Sequence, residues 1–376
     1  MKVTIEKTEI VKPFCDSNKI PTDPKSHFVP LSVFDKVRYN THVAIIYAYN
    51  PPTPTNATIE VGLKKVLSEY REWAGRLGED ENGDPVIFLN DKGGNFVEAS
   101  IGIKLEQVMP LQSSPFLRSL HPKVKDVEAL LQVQLTRFAC VSLVIGLTAH
   151  QLIADGHSAG NFLVAWGKAT RGLDINPLPL HGRTIFNPRN QPYFEFEHKG
   201  VEFKCKNIVN DCSNYDGMLV EEVEVHKVVH FTMEFLSELK TRASNSLPNG
   251  ANVQETSGYA AKLIRDAVES VNDKYFKSFI DFATVKAKKD EELVPTADAN
   301  VFMYTPNLKV DSWLRVPFYE LDFGGGSPCI FMPSYIAKEG FMFLLPSFKG
   351  DGSVDACITL FRKNMATFKQ IVYSLD

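Results

Sequence analysis

The sequence predicts an α/β protein built from two domains of similar size. Its 376 residues exceed the length of one typical domain, which is about 100 to 200 residues. Strand-like apolar runs and helix-like apolar stripes occur in both halves of the chain. Residues 176–193 are rich in proline and have few periodic apolar positions, which is typical of a long exposed connection. We therefore expect domains at 1–175 and 200–376, joined by a crossover at 176–199.

Composition and charge exclude several classes of function. Hydrophobic residues make up 44% and charged residues 23% of the chain, as in ordinary soluble globular proteins. The 41 basic and 45 acidic residues give a net charge of −4, so nucleic acid and anionic membranes are not expected partners. The six cysteines are scattered without zinc-site spacing, and the first residues lack the apolar run of a signal peptide. These features predict a reduced, cytoplasmic protein without a bound metal.

The N-terminal half contains the clearest element patterns. An amphipathic helix is predicted by the apolar stripe of Ile59, Leu63, Val66, Leu67 and Tyr70. Residues 131–136 alternate apolar and polar, whereas 142–148 are more uniformly apolar, so we expect two strands of which the second is more buried. Residues 161–169 have helical spacing. A strand, a polar turn and a helix thus follow in order, and chemistry is expected at that turn.

The C-terminal half predicts short strands around two helices. Apolar residues recur at helical spacing near 235–239 and 263–271. The predicted strands are Val228–Phe231, Cys329–Met332, Phe341–Leu345 and Ala356–Phe361. A closing helix is predicted by Met365, Phe368 and Val372.

The polar turn carries two overlapping motifs. Gly156–Gly160 fits GxSxG between a strand and a helix, which predicts a hydrolase with Ser158 as nucleophile. In that fold the acid and then the histidine follow the serine, with the histidine late in the domain. Only His181, His198, His226 and His230 could serve, and the chain has no HGGG-type oxyanion loop. The hydrolase is therefore a remote alternative.

The second motif combines His150 and Asp155-Gly156 with a distant Asp322-Phe323-Gly324-Gly325-Gly326. With these residues the chain resembles the plant acyl-CoA-dependent acyltransferases that carry HxxxDG and DFGWG-like motifs. Within that family it is most similar to the agmatine coumaroyltransferases and related amine N-hydroxycinnamoyltransferases. The matching segments are Tyr70–Gly78, Thr136–Cys140, Gly160–Phe162, Tyr275–Ala283, Asp311–Arg315, Asp322–Gly326 and Gly350–Ala356.

The resemblance implies a fold and a reaction. The fold would be two mixed-sheet domains of the chloramphenicol-acetyltransferase-like type, with a channel between them. A monomer would transfer a hydroxycinnamoyl group from CoA to agmatine, putrescine or an aromatic amine, with no cofactor besides the acyl-CoA co-substrate. The family histidine would take a proton from the amine as it attacks the thioester. The motif aspartate would orient its loop through an ion pair, and the 322–326 loop would be structural.

The chain departs from this family at the catalytic position. HxxxD, counted back from Asp155, requires histidine at 151, where this chain has Gln151. His150 is one place early, and alternation along an extended segment would turn it to the opposite side unless the backbone bulges. Gln151 cannot accept a proton. The alternative is therefore a catalytically dead relative that binds CoA esters or a partner.

A second departure is a stretch that the chain lacks near 246–258. The family would carry several tens more residues there, including a basic DGRxR-like motif whose arginine pairs with the motif aspartate. Arg315 is the predicted replacement partner of Asp155. Because burying an unpaired cationic acceptor is costly, we also predict an acceptor-binding role for Glu320, with Arg315 beside it. Gly325 replaces the tryptophan of DFGWG, as is usual among the amine-acylating relatives.

Overall fold

The structure is a computed structural model, and it describes residues 2–14, 27–109, 111, 114–176, 178–180, 184–206, 223–245, 257–287, 292–297, 307–334 and 339–374. The chain divides into two compact units. The first contains Met1–Gly182 and Arg315–Ile336, and the second contains Arg183–Leu314 and Ala337–Asp376. The predicted shortening near 246–258 lies almost entirely outside the described residues.

The described part of the chain contains both strands and helices. The strands are β1 Thr4–Val11, β2 Phe28–Pro30, β3 His42–Tyr49, β4 Arg76–Glu79, β5 Pro85–Phe88, β6 Gly94–Ile101, β7 Leu131–Phe138, β8 Leu143–His150, β9 Phe203–Cys205, β10 Val223–Phe231, β11 Leu293–Pro295, β12 Lys309–Ser312, β13 Ile330–Pro333, β14 Phe341–Pro346 and β15 Val354–Phe361. The helices are α1 Val33–Lys36, α2 Asn56–Glu69, α3 Pro115–Arg118, α4 Gly156–Thr170, α5 Met233–Asn245, α6 Ser257–Ser270, α7 Asp273–Asp281 and α8 Arg362–Ile371. No helix of the described ranges has the length and apolarity needed to cross a bilayer.

The first unit is organised around a six-stranded mixed sheet. Its strand order is β1-β6-β7-β8-β3-β13, with β6 and β7 parallel and the other neighbours antiparallel. Helices α2 and α4 pack against each other, and the Trp166 indole of α4 donates a hydrogen bond to the carbonyl of Ile59 in α2 at 3.1 Å. Phe162 of α4 stacks on Trp73, with ring centroids 3.9 Å apart. The predicted helix at 59–70 and the strand-turn-helix order at 131–169 are confirmed.

The polar residues of β7 are more buried than their alternation predicts. Gln132 and Gln134 are only 3% and 4% exposed. Each side-chain amide donates to a backbone carbonyl, Gln132 to Lys123 at 2.6 Å and Gln134 to Ser119 at 2.8 Å. The alternation suggests one solvated face, but the 119–123 segment covers that face and satisfies its amides. Burial of these polar groups is tolerated because they are hydrogen-bonded.

The second unit has its own sheet, in the order β10-β15-β14-β12. β12 joins β14 in parallel, and the other pairs are antiparallel. A separate ribbon pairs β9 with β11. The predicted strands at 228–231, 341–345 and 356–361 belong to β10, β14 and β15, and the closing helix is α8. These element predictions are confirmed.

The segment that carries the Asp322 motif belongs to the first unit, whereas the sequence assigned it to the C-terminal domain. The reason is strand pairing, because β13 adds to the first sheet by pairing Ile330 with Ala48 and Pro333 with Ile45 of β3. Such a long-range exchange of strands leaves no trace in local composition. The chain enters the second unit at residue 183, inside the predicted crossover. It goes back to the first unit at residue 315 and enters the second unit again at residue 337.

The loop 322–326 anchors α4 and β3 of the first unit. One carboxylate oxygen of Asp322 accepts the amides of Gly324 and Gly326, at 2.7 and 2.9 Å. The other oxygen pairs with the Arg171 guanidinium at 3.1 Å, just beyond the end of α4. Phe323 is buried and packs edge-on against Trp166, with centroids 4.9 Å apart. This loop closes the core of the unit and contains no exposed reactive group.

Gly325 is required by a close backbone approach. A Cβ atom at this position would lie 2.0 Å from the carbonyl oxygen of Pro52, inside any normal contact distance. Gly324 and Gly326 have φ values of +110° and +97°, which side chains rarely adopt. The tryptophan of the DFGWG motif therefore does not fit this backbone.

We predict that Gly325→Ala destabilises the first unit by about 1 to 3 kcal/mol, because the new methyl group forces the 322–326 loop away from Pro52. Gly102→Ala is the matched control, since a Cβ atom there would meet nothing within 4 Å. It should change stability by less than about 0.5 kcal/mol. Urea unfolding followed by tryptophan fluorescence measures both variants, and equal midpoints would contradict the steric argument.

Candidate functional site

The motif residues occupy the turn between β8 and α4. Strand β8 ends at His150, and α4 begins at Gly156 with Asp155 as its N-cap. The Asp155 carboxylate accepts the amide hydrogen of Ser158 at 2.7 Å and is exposed to solvent. Within the described residues, no basic side chain, Arg315 included, forms an ion pair with Asp155. The role of this carboxylate here is to cap the helix, because it satisfies one of the free N–H groups of the first turn.

Ser158 does not form a nucleophile elbow, so the hydrolase alternative is wrong. Ser158 lies in the first turn of α4, and its backbone φ is not positive. Asp91, Asp126 and Val141 are the described non-glycine residues that have a positive φ. An elbow needs a strained serine on a sharp turn. His198, one of the histidines considered for a triad, is fully buried and bonds Ser278 at 3.0 Å.

That His198–Ser278 pair is itself structural. The Ser278 oxygen accepts the amides of Glu195 and Phe196, at 3.0 and 3.2 Å, so its hydroxyl must donate to Nε2 of His198. Nδ1 of His198 then donates to Glu202 at 3.0 Å. With both lone pairs occupied and no exposed surface, Ser278 cannot attack a substrate.

Gln151 lies one residue beyond β8 and is half-buried. The backbone N–H of Gln151 donates a hydrogen bond to the carbonyl of Thr41 at 3.0 Å, which continues the pairing of β8 with β3. The pairing of β3 with β8 contains no bulge. His150 therefore stays one residue before the position that HxxxD requires for the histidine. The structure therefore separates His150 from the position that Gln151 occupies.

His150 faces a second histidine, which the sequence analysis missed. The register pairs His150 of β8 directly with His42 of β3. Their rings meet edge to face, with centroids 4.8 Å apart and planes at 87°. His42 begins the apolar run of β3, but only the pairing of the strands, which is not local in sequence, brings the two imidazoles together.

The hydrogen bonds of the two rings assign different tautomers. Nε2 of His42 lies 2.8 Å from the carbonyl oxygen of Ala129, which can only accept, so Nε2 carries the proton. The amide of Leu152 donates to Nδ1 of His150 at 3.3 Å, so the neutral His150 ring carries its proton on Nε2. His42 therefore has a bare Nδ1, and His150 has an N–H that can donate.

Both imidazoles are neutral at physiological pH. Burial, together with the smaller effect of the neighbouring His42, lowers the pKa of His150 to about 4. Burial also lowers the pKa of His42, an effect that the hydrogen bond to Ala129 partly opposes. The neutral form is the one that can accept a proton, so this environment keeps a base available but lowers its proton affinity.

The two histidines line a cavity of about 710 Å³ in the first unit. Its wall combines apolar side chains with charged groups at an exposed rim. The lining residues are Asn40, Thr41, His42, Arg76, Leu77, Lys92, Val124, Lys125, Asp126, Val127, Glu128, Leu130 and His150. A cavity of this size and mixed polarity is suited to a small organic substrate.

The predicted acceptor-binding residues lie elsewhere. Arg315 and Glu320 are both exposed, and Glu320 ends a short 3₁₀ turn at Phe318–Glu320. Neither lines the cavity beside His150. Their roles stay predictions. Across the described part of the chain, no group of three His, Cys, Asp or Glu side chains has the arrangement of a metal site.

We predict that Asp155→Ala destabilises the protein by about 0.5 to 2 kcal/mol through loss of the α4 N-cap. Asp155→Asn is the matched variant, because its side-chain oxygen caps equally well without the charge. It should retain nearly the stability of the parent. Thermal unfolding at pH 7 compares them, and an Asn variant as unstable as the Ala variant would show that charge, and not capping, is what matters.

We predict a pH-dependent stability that arises from His150. Its pKa is about 4 in the folded chain and about 6.5 when unfolded, so between these values the unfolded state binds more protons. The contribution of the neutral His150 to the free energy of unfolding is therefore fully present above pH 6.5 and is lost as the pH decreases to 4. His150→Gln should reduce this acid loss by about 1 to 3 kcal/mol, a range discounted for solvent screening. Urea midpoints at pH 7 and 4.5 measure it.

The control for this titration is His157→Gln, which removes an exposed imidazole on α4. Its midpoints should change with pH as those of the parent do. Equal pH dependence of the parent and His150→Gln would contradict the assignment of a buried neutral His150.

Sequence comparison finds relatives that match this chain over nearly their full length. The chain is 42% identical to agmatine hydroxycinnamoyltransferase 1 of Oryza sativa subsp. japonica, with 100% of this chain and 99% of the relative covered. It is 43% identical to agmatine coumaroyltransferase-1 of Hordeum vulgare, with both chains fully covered. Putrescine hydroxycinnamoyltransferase 3 of Oryza sativa subsp. japonica is 37% identical, also over both full chains.

Solved structures support the fold. The crystal structure of vinorine synthase superimposes with a TM-score of 0.63 over 97% of this chain and 96% of that chain, at 21% identity. Fusarium graminearum TRI101, solved with coenzyme A and T-2 mycotoxin, gives a TM-score of 0.67 over 92% of this chain and 97% of that one, at 14% identity. The predicted α/β fold class is thereby confirmed.

A family profile completes the comparison. The profile described as "Transferase family" matches residues 1–257 and again 248–375. The two matches meet near 248–257, where a stretch of the family is expected to be missing. The alignment with the rice agmatine relative extends over 448 positions, whereas this chain has 376 residues. With matches over nearly its whole length and full-length relatives above 40% identity, the chain belongs to the Transferase family of acyl-CoA-dependent acyltransferases.

Proposed function

We propose that this chain transfers a hydroxycinnamoyl group from CoA to an amine, with agmatine as the first acceptor to test and putrescine as the second. The observation that carries the proposal is the full-length identity of 42% and 43% to two agmatine-acylating relatives. The reaction joins the amine nitrogen to the thioester carbonyl carbon and releases CoA as a thiol. No metal is needed for this chemistry, because the thioester is already activated.

The proton balance limits the rate in this chain. A primary amine has a pKa near that of lysine, about 10.4, so nearly all acceptor is protonated at neutral pH. Gln151 stands at the motif position and can only orient the acceptor by hydrogen bonds. Orientation alone still accelerates attack. The proposed activity is therefore weak and depends on the supply of free amine.

The competing function is a non-catalytic relative that binds CoA esters. Coumaroyl-CoA would then raise the thermal midpoint of the protein without release of free thiol. Thiol release in the presence and absence of agmatine separates the two functions, since only the transferase gives acceptor-dependent turnover.

We predict that turnover with agmatine rises about tenfold per pH unit between pH 7 and 9, because the free amine rises in that proportion. No inflection is expected near 6.5, since the pKa values of both His42 and His150 are lowered. Gln151→His, which restores HxxxD, should increase kcat by up to about 10² to 10⁴. Coumaroyl-CoA consumption and amide formation are followed together at each pH.

Two variants control this experiment. Gln151→Asn keeps a neutral amide and should give no gain, and Ser158→Ala should leave turnover unchanged because that serine is not a nucleophile. Absence of amide in both the parent and a folded Gln151→His variant would refute the transferase and favour the binding protein.

A further inference from the structure

We propose that the cavity beside His42 and His150 binds a small hydroxylated carboxylate and is separate from the place of acyl transfer. The cavity measures about 710 Å³, and all of its lining residues belong to the first unit. Gln151 is not among them, and side-chain alternation turns it away from the face that His150 occupies. The inference goes beyond the proposed function, because it concerns a ligand that is bound without being acylated.

The histidine pair is suited to a hydroxyl group. Nε2 of His42 donates to the carbonyl of Ala129 at 2.8 Å, so Nδ1 of this ring is left as an acceptor. Nδ1 of His150 accepts the amide hydrogen of Leu152 at 3.3 Å, so Nε2 of this ring is left as a donor. Among the described residues, no group hydrogen-bonds either of the two remaining nitrogens. A hydroxyl donates one hydrogen bond and accepts others, which matches this pair.

Main-chain groups fix the two roles. The β3–β8 register places the rings opposite each other, with centroids 4.8 Å apart, and each ring is anchored by one backbone group. Burial lowers the pKa of both imidazoles, to about 4 for His150, so both are neutral at pH 7.5. A protonated imidazole has no acceptor nitrogen. Neutrality therefore preserves one acceptor and one donor in the cavity.

Arg76 supplies a charge that an anion would offset. Its side chain is half-buried, lines the same cavity, and has a pKa that burial lowers. Nη1 donates to the carbonyls of Gly75 and Gly93 at 2.7 and 2.8 Å, whereas Nε is buried without a hydrogen-bond partner. In the described ranges, no carboxylate forms an ion pair with this guanidinium. A half-buried cation without a counter-charge is costly, and a planar carboxylate fits a guanidinium well.

The charges around the cavity favour an anion of low charge. Arg76, Lys92 and Lys125 are three cations, and Asp126 and Glu128 are two carboxylates, so the excess is one positive charge. The two lysines and the two carboxylates are exposed, which places them at the rim. A single carboxylate matches this excess. The several phosphate charges of CoA would be repelled by the two acidic groups.

Apolar side chains complete the lining of the cavity. They are Leu77, Val124, Val127 and Leu130. Such walls suit an apolar body that joins the hydroxyl to the carboxylate. A phenolic carboxylate has all three parts, and at pH 7.5 its phenol is neutral and its carboxylate is ionised. We choose 4-hydroxycinnamate as the probe because it is the free acid of the acyl group in the proposed reaction.

The first test is a ligand series on the unmodified protein, measured by titration calorimetry at pH 7.5 with saturating coumaroyl-CoA and no amine. Cinnamate should bind about tenfold more weakly than 4-hydroxycinnamate, because it leaves both imidazoles unsatisfied. The uncharged 4-hydroxycinnamyl alcohol should bind about 10- to 100-fold more weakly, because it lacks the carboxylate. Equal affinities for all three ligands would overturn the inference. Complete displacement of 4-hydroxycinnamate by coumaroyl-CoA would also overturn it, because the acid would then occupy the transfer site.

A variant of His42 tests recognition of the hydroxyl. His42→Phe keeps an aromatic ring and removes both nitrogens, so 4-hydroxycinnamate and cinnamate should bind within about twofold of each other. A merely structural role of His42 would weaken both ligands equally and preserve their ratio, and that result would contradict the site. His157→Phe, which replaces an exposed imidazole outside the cavity, is the matched control and should keep the ratio of the parent.

A variant of Arg76 tests recognition of the carboxylate. Arg76→Met should weaken 4-hydroxycinnamate about 10- to 100-fold and leave the alcohol nearly unchanged, whereas Arg76→Lys keeps a charge and should retain more affinity. Lys104→Met removes an exposed cation outside the cavity and should change neither ligand. An acid-to-alcohol ratio that stays at the parent value in Arg76→Met would refute a carboxylate site. Thermal midpoints show which variants are folded, and the ligand series on the parent decides if Arg76→Met is not.

Failure of this inference and failure of the proposed function give different results. Amide formation from coumaroyl-CoA and agmatine reports the transferase, whereas calorimetry with 4-hydroxycinnamate reports the cavity. An active transferase that does not bind 4-hydroxycinnamate at millimolar concentration would overturn the cavity site alone. Binding with the expected ligand preferences, but without amide formation, would support the site and overturn the transferase alone.

Discussion

The antiparallel pairing of β3 with β8 is the constraint on which the candidate site depends. Eight residue pairs run in register from Tyr49 opposite Leu143 to His42 opposite His150. Because side chains alternate along each strand, this register puts both imidazoles on one face and Gln151 beyond the last pair. The same pairing continues through the backbone N–H of Gln151, so the strand has no bulge that could exchange the positions of His150 and Gln151. The chemistry available at the turn is therefore set by a register that extends through the whole core of the first unit.

The two carboxylates of the family motifs have mainly structural roles in this chain. Asp155 caps α4, and Asp322 closes its own loop and pairs with Arg171 at the other end of the same helix. The helix is thus fixed at its start and near its end. Through Trp166 and Phe162 it packs on α2 and on the aromatic core.

Membership of the Transferase family does not depend on the single residue at position 151. Family membership concerns the whole chain, whereas a general base concerns one nitrogen atom with a free lone pair. Of the two imidazoles beside the turn, only His42 has such a nitrogen, and it has it because Ala129 occupies the opposite side of its ring. His150 is closer to the motif in sequence, but the Leu152 amide occupies its acceptor nitrogen. Distance along the chain is therefore a poor guide to which imidazole keeps an unoccupied acceptor nitrogen.

The sequence by itself determined the two-unit α/β class, most of the elements, the family and the unusual Gln151, because these depend on local periodicity and on motif spacing. It also predicted that the 322–326 loop is structural. Only the tertiary structure decided that β13 returns this loop to the first unit, that Gln132 and Gln134 are buried, that Asp155 caps a helix, and that His42 meets His150. Each of these depends on strand pairing or on a contact between residues far apart in the chain, and such contacts are set by packing of the whole core rather than by any local pattern.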